Sequence, residues 1–152
     1  MSIKNNDSLP ITDNRMTRFM ITLEEGVDLV WRAFEDMVGG EIYVKKIPSM
    51  KVTDIAKAIN ENALQTEVGI RPGEKLHEQM IGEDDAMYTY EYPDYYKILP
   101  SINEWSRDKN RVGDGKKVPN DFTYTSNNNE EWMKISELRD WIDNNQKKIG
   151  KI

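Results

Sequence analysis

The sequence predicts a mixed α/β fold, and three observations carry that reading. Short strand-like stretches and amphipathic helical stretches take turns along the chain. Each helical stretch is bounded by its own start or stop signal. No segment shows a heptad run, an internal repeat or a long apolar run.

Taken in order, Met16 to Ile21 alternates loosely and reads as a strand. Thr22-Leu23-Glu24-Glu25 then has capping-box spacing, with Thr22 at the cap and Glu25 three residues on. Val27, Val30, Trp31, Phe34 and Met37 follow at spacings that form one apolar helix face. Gly39-Gly40 stops that helix, and Glu41 to Val44 reads as a strand. Pro48-Ser49 starts a second helix, with Val52, Ile55, Ala56 and Ile59 inward. Thr66 to Ile70 is a short strand that runs into a turn at Arg71. Leu76, Met80 and Ile81 suggest a third, short helix. Met87 to Tyr92 and Tyr95 to Leu99 are Tyr-rich strands around Pro93-Asp94. From Pro100 to Asp121 the chain turns polar and loop-like, and Asn127-Asn128-Asn129 is a turn. Ser136 caps a last helix, with Leu138, Trp141 and Ile142 inward.

Composition bounds the function. With 152 residues, one domain with a real core is the default. Zero cysteines exclude a disulfide scaffold, thiol catalysis and Cys-ligated metal. The polar start, Met1 to Leu9, is no signal peptide, and no apolar run reaches the ~18 residues of a membrane span. A cytoplasmic protein without membrane contact is expected. The net charge of -6 argues against nucleic acid, yet leaves room for a nucleotide held by one or two placed arginines.

Gly69-Ile70-Arg71-Pro72-Gly73-Glu74-Lys75-Leu76-His77-Glu78 is the most informative passage. It places Arg71 where a strand gives way to the predicted third helix. Pro72 suits a first helical position, Gly73 lets backbone approach a ligand, and a helix N-terminus attracts anions. The Arg71 fork suits phosphate, and Glu74 can accept hydrogen bonds from sugar hydroxyls. The plainer reading leaves Arg71 in a surface ion pair and Glu74 as a residue favouring a first helical turn. The chain also contains neither a Gly-rich dinucleotide loop nor a Tyr-x-x-x-Lys pair.

The same passage resembles the signature of the nucleotide-sugar dehydratases of bacterial polysaccharide synthesis. These are extended short-chain dehydrogenase/reductases, and the inverting UDP-N-acetylglucosamine 4,6-dehydratases are the most similar group. Further matching stretches are Pro10-Ile11-Thr12-Asp13 with Arg15 to Phe19, Gly39 to Val44, Lys46 to Lys51, and Asp121 to Tyr124 with Asn127 to Trp132. Together they run from about Leu9 to the last helix.

The resemblance implies an α/β substrate-binding lobe without the Rossmann core, followed by a C-terminal extension. The expected division is a disordered start over 1–9, a nucleotide-sugar lobe over 10–100 and an extension over 101–152. It implies UDP-sugar contacts from Arg71 and Glu74, with Arg18 and Thr12 also on the substrate-binding side. In related epimerases an Arg-Asp-Tyr motif supplies a diphosphate-binding arginine where Arg18-Phe19 stands here; Phe19 replaces that Asp. No catalytic, cofactor-binding or metal residue is assigned. NADP or NAD is expected on a Rossmann half, and this chain alone is expected to be inactive. The expected partners are a UDP-sugar, a Rossmann-half polypeptide or an intact homologue, and a second copy. Two alternatives remain: half of a UDP-N-acetylglucosamine 4-epimerase, or a non-catalytic nucleotide-sugar-binding or interaction module.

Other candidates carry less. His77 is the sole histidine, and without partners it makes a poor metal site. It reads as a plain helix position. The tyrosines from Tyr88 to Tyr96 read as strand packing rather than a stacking platform. Lys45-Lys46 reads as a solvated pair, and Asp108 to Gly113 fails as a calcium loop, because Val112 and Pro119 stand where ligands are required. Asn6-Asp7-Ser8 fits a glycosylation acceptor but has no secretion signal beside it.

Overall fold

A computed structural model of the chain describes residues 8–101 and 108–149. The expectations for residues 1–7, including Asn6 and Asp7, lie outside them. The described residues fall into two compact units interleaved along the chain: 8–20, 48–78 and 126–149 form one, and 21–47, 79–101 and 108–125 the other.

The first unit is built on two small strand pairs. Strand β1 (Ser8–Ile11) runs parallel to β5 (Leu64–Glu67). Ser8 and Leu9, expected in an irregular start, thus belong to a strand. Strand β2 (Thr17–Phe19) pairs antiparallel with β4 (Ser49–Lys51). The second helix therefore begins at Val52 rather than at Pro48: α2 is Val52–Ile59. Pairing with β2 holds Ser49 to Lys51 extended, and a bond from Ser49 N–H to the Glu131 carbonyl (2.8 Å) fixes its other side.

Helix α5 (Ile135–Ile149) packs on α2. Buried Met50, Ala58 and Leu138 form the core between them, joined by Met20, Ile55, Met133, Ile135 and Ile142. Ile59 and Trp141, both expected inward, remain 38% and 39% exposed. Helical spacing placed them correctly relative to their neighbours, but each lies at the margin of the packed stripe. Ser136 sits inside the first turn of α5 rather than capping it. Glu137 takes the reach-back role of a capping box instead, accepting from Lys134 N–H at 2.8 Å.

The second unit carries a four-stranded antiparallel sheet in the order β3 (Ile42–Lys45), β8 (Tyr95–Ile98), β7 (Thr89–Glu91), β9 (Lys116–Lys117). β7 and β8 form the hairpin expected around Pro93-Asp94. Its tyrosines are strand packing, as expected: Tyr90, Tyr95 and Tyr96 are buried, and Tyr92 stacks on Tyr95 at 4.5 Å. Lys46 departs from the solvated-pair reading. It meets Glu91 at 2.7 Å and lies over the Tyr96 ring.

Short helices α3 (Glu83–Ala86) and α4 (Lys109–Val112) also form, the latter in the stretch expected to be loop-like. Strand β6 (Gln79–Ile81) pairs with β10 (Tyr124–Thr125). The buried Tyr124 hydroxyl accepts from Ile47 N–H at 2.9 Å and donates to the Ile47 carbonyl at 3.0 Å.

Helix α1 (Leu23–Asp36) has the capping box read from its sequence. Thr22 Oγ1 accepts from Glu25 N–H at 3.2 Å, and the Glu25 carboxylate accepts from Thr22 N–H at 2.8 Å. At its other end Asp36 takes a 2.6 Å bond from Lys97, whose side chain is 2% exposed, and another from the Tyr43 hydroxyl. Burial pushes the Asp36 carboxyl up, but these bonds outweigh it and hold the group below its ordinary range. The Gly39-Gly40 stop is fastened by Arg111, which donates to the Gly39 carbonyl (2.9 Å) and to buried Glu41 (2.5 Å).

Candidate functional site

The residues implied by the resemblance all lie in the first unit. They begin from the parallel pair. β1 and β5 run side by side, and the Val68 N–H donates to the Ile11 carbonyl at 2.8 Å. Thr12 and the Gly69-to-Arg71 segment therefore both leave the carboxyl end of the same pair of strands. In open α/β sheets that end is where ligands are bound.

Arg71 does not stand at a helix mouth. No helix forms over 76–81, and β6 begins at Gln79. Arg71-Pro72-Gly73-Glu74 is instead a tight turn, closed by a 3.0 Å bond from Glu74 N–H to the Arg71 carbonyl. Pro72 precedes Gly73, which sits at φ 86°; a proline followed by a glycine of positive φ is the signature of a type II turn. A helix cannot continue through that glycine. Gln79 to Ile81 are drawn into pairing with β10, so their tertiary setting overrides the helix-like spacing. The helix-dipole contribution expected at Arg71 is absent, and the turn's geometry replaces it.

The Glu74 carboxylate reaches back to accept from Arg71 N–H at 3.0 Å. One of its oxygens thus stiffens the turn, and the other can still accept from a ligand. Arg71 itself is exposed, and its guanidinium makes no hydrogen bond or ion pair among the described residues. It is a free planar cation on a rigid turn.

Arg18 is placed differently. Its Nη1 donates to the carbonyls of Thr17 (2.7 Å) and Leu76 (3.2 Å), and its Nη2 to that of Lys75 (3.0 Å). Its Nε lies 3.3 Å from Glu78 Oε1. Arg18 latches the segment that follows the Arg71 turn onto β2. Thr12 is half-buried, and no hydrogen bond links it to Arg18, Arg71 or Glu74 among the described residues.

A polar cluster that the sequence reading missed completes this latch. Buried Thr17 Oγ1 lies 2.8 Å from His77 Nδ1 and 2.6 Å from Ser126 Oγ. Ser126 accepts from Glu78 N–H at 2.9 Å and donates its own N–H to the Glu78 carbonyl at 2.8 Å. His77 is thus a member of a buried hydrogen-bond network and not a helix position. Only the fold brings these residues together, so no local sequence signal could have shown it.

Asp13, also missed, closes the turn after Thr12. It accepts from Arg15 N–H (2.8 Å), Nε (3.0 Å) and Nη2 (2.8 Å). Those bonds, first the side-chain and then the backbone one, lower its pKa to about 2. The neighbouring Asn14 amide is bound by Glu67 at the end of β5. Both chain exits at the carboxyl end of the parallel pair are therefore tied to each other.

Comparison with known proteins agrees with this architecture. The profile of the family described as "Polysaccharide biosynthesis protein" matches residues 1–100, and the chain belongs to that family. The resemblance read from its short stretches is thereby borne out. Among individual relatives, the inverting UDP-N-acetylglucosamine 4,6-dehydratase of Campylobacter jejuni is 50% identical over 143 residues, which are 91% of this chain and 43% of that protein. The UDP-glucose 4-epimerase of Rickettsia typhi is 34% identical over 145 residues, 92% of this chain and 42% of that protein. The X-ray structure of Pen from Bacillus thuringiensis superposes with a TM-score of 0.74 at 29% identity, covering 95% of this chain and 42% of that one. The chain thus spans less than half the length of the relatives it matches. Among the described residues, no helix is long and apolar enough to cross a membrane.

Proposed function

We propose that this chain grips the UDP-sugar in a UDP-N-acetylglucosamine 4,6-dehydratase of surface-polysaccharide synthesis, including the pseudaminic-acid type. The observation that carries the reading is the unpaired Arg71 guanidinium on its latched turn, at the carboxyl end of the parallel pair. Arg71 holds the diphosphate, Glu74 takes a sugar or ribose hydroxyl, and Thr12 lines the neighbouring chain exit. Arg18 keeps the turn in place, and a bound diphosphate competes with the Lys75 and Leu76 carbonyls for it. The 50% identity to the Campylobacter jejuni dehydratase supports this substrate over others. The Rickettsia typhi match keeps an epimerase of the same grip as the second reading.

The described residues do not fit a dinucleotide cofactor. The parallel strands form a single pair, and the glycines at its end lead into a turn rather than a helix. NADP or NAD is therefore assigned to a Rossmann portion within the length of the relatives not spanned here, and no catalytic step is assigned to this chain's residues. In this reading residues 10–100 are a substrate-binding lobe outside the Rossmann core, and residues 101–152 extend it. The chain works in the cytoplasm, where nucleotide sugars are found, and by itself does not turn over.

Calorimetry with UDP and UDP-N-acetylglucosamine tests this. Arg71→Ala is expected to weaken binding about 10- to 100-fold, the loss of one charge-assisted contact of roughly 1.5–3 kcal/mol. Binding that is unchanged by this substitution contradicts the assignment. Absence of binding, with or without an added Rossmann portion, leaves the non-catalytic interaction module as the better account.

A further inference from the structure

His77, the sole histidine of the chain, ends a row of side chains drawn from three separate segments. Its Nδ1 lies 2.8 Å from Thr17 Oγ1 on β2, and Thr17 Oγ1 lies 2.6 Å from Ser126 Oγ. The N–H of Glu78, the residue after His77, donates to Ser126 Oγ at 2.9 Å. Thr17 and Ser126 are 3% and 0% exposed, so bulk solvent offers neither hydroxyl a further partner.

This row has room for a fixed number of hydrogens. The gap between His77 and Thr17 and the gap between Thr17 and Ser126 each hold one. The two hydroxyls bring one hydrogen apiece. They fill both gaps only when Ser126 donates to Thr17 and Thr17 donates to a bare Nδ1. A hydrogen on Nδ1 takes the first gap and turns the Thr17 hydroxyl toward Ser126. The Ser126 hydrogen is then left over, on an oxygen that accepts from both Thr17 and Glu78. Its side chain makes no other hydrogen bond among the described residues, and a buried donor without an acceptor is costly. Neutral His77 with its hydrogen on Nε2 satisfies the row. The imidazolium, protonated on both nitrogens, does not.

We propose that His77 is a proton-sensitive positioning residue for the Arg71 turn: its neutral form completes the row, and its protonation releases Glu78 from Ser126 and loosens the segment that leaves the turn. The ligand of that turn is taken from the functional reading above, on which this part of the proposal rests. The charged neighbours leave the hydrogen count decisive. Asp13, which attracts a charge on His77, is already held by Arg15, and Glu78 by Arg18. Lys75 on the same segment repels such a charge, and Tyr124 to Asn129, around Ser126, carry none. A ligand that needs the turn in place therefore favours the neutral ring, and its affinity falls as pH drops through the histidine range.

The test uses the full chain, labelled with 15N and purified without a histidine tag, at about pH 8 and about pH 5.5. With one histidine, the ring signals need no assignment. At the higher pH they are expected to show a bare Nδ1 and a protonated Nε2. At the lower pH the Glu78 amide is expected to lose about tenfold of its protection against hydrogen exchange, corrected for the intrinsic rate. Affinity for UDP-N-acetylglucosamine, whose diphosphate does not titrate in this range, is expected to fall about tenfold. In His77→Asn, which offers Thr17 an acceptor that does not titrate, the affinity should differ less than about twofold between the two conditions. Thr17→Ser should keep the ring pattern and the pH response, and Thr17→Val should lose both. A hydrogen on Nδ1 at the higher pH overturns the proposal. So does a Glu78 amide equally protected in both conditions, or a pH response that His77→Asn retains. If the sugar nucleotide binds in neither condition, the functional reading fails by itself. The ring and the Glu78 amide, which need no ligand, still decide for or against the proton-sensitive latch.

Discussion

Arg71 and Arg18 are both arginines near one turn, and their surroundings give them different duties. The Arg71 side chain makes no bond that folding needs, so Arg71→Ala should leave the melting temperature within about 1 °C while weakening UDP binding. Arg18 satisfies three carbonyls from a partly buried position. Arg18→Ala should cost about 1–2 kcal/mol, lowering the melting temperature by roughly 3–6 °C for a chain this size, and should also loosen the turn. Paired thermal melts and calorimetry distinguish the two; equal stability of the variants would show that the latch is not structural. Asp13 adds a pH signature. Its folded pKa, about 2, lies below the ordinary aspartate value of 3.8. Its contribution is therefore present above about pH 4 and lost as pH falls toward 2. The stability difference between wild type and Asp13→Asn, followed by acid unfolding, should shrink across that window and stay level above it.

At the scale of elements, the turn and α1 show how much the sequence could tell. The α1 capping box was legible because its signal is local: Thr22 and Glu25 bond each other within one helical turn. The Arg71 turn was located correctly and given the wrong geometry. Pro followed by Gly serves both the first turn of a helix and the centre of a type II turn, and only the pairing of Gln79–Ile81 with β10 decides between them. The Thr17–His77–Ser126 network was illegible, because its members lie 60 and 109 residues apart. The apolar stripe of α1 was read as a face, and its Trp31 and Phe34 are 64% and 67% exposed; which way a face points depends on what the opposite side binds.

Gly73 offers a test at this scale. Its φ of 86° suits glycine, and a Cβ built there meets nothing within 4 Å. Gly73→Ala should then strain only the backbone, by about 1–2 kcal/mol. The turn should loosen, and UDP affinity should fall more than thermal stability does. An alanine variant with wild-type affinity would mean that the turn's shape does not matter to the ligand.

At the scale of the molecule, the chain sets a polar, latched turn in one unit and an exposed apolar helix face in the other. The second unit has its own alkaline limit. Burial raises the Tyr92 hydroxyl to about 12, and burial together with the Asp36 carboxylate raises Tyr43 further. A raised folded pKa means stability that is complete below about pH 10 and declines above it as the unfolded tyrosines ionise first. Tyr92→Phe should flatten that decline in alkaline unfolding curves, and an unchanged slope would place the sensitivity elsewhere.

On the proposed function, a UDP-sugar is held at the carboxyl end of the β1–β5 pair. Titrating UDP into isotope-labelled protein and following the backbone amide resonances tests it most directly. Saturable shifts are expected, centred on Gly69 to Glu74 and Thr12, carried through the latch to His77 and Glu78, and absent from Arg71→Ala. Saturable shifts confined to other segments, or shifts that persist in that variant, would contradict it.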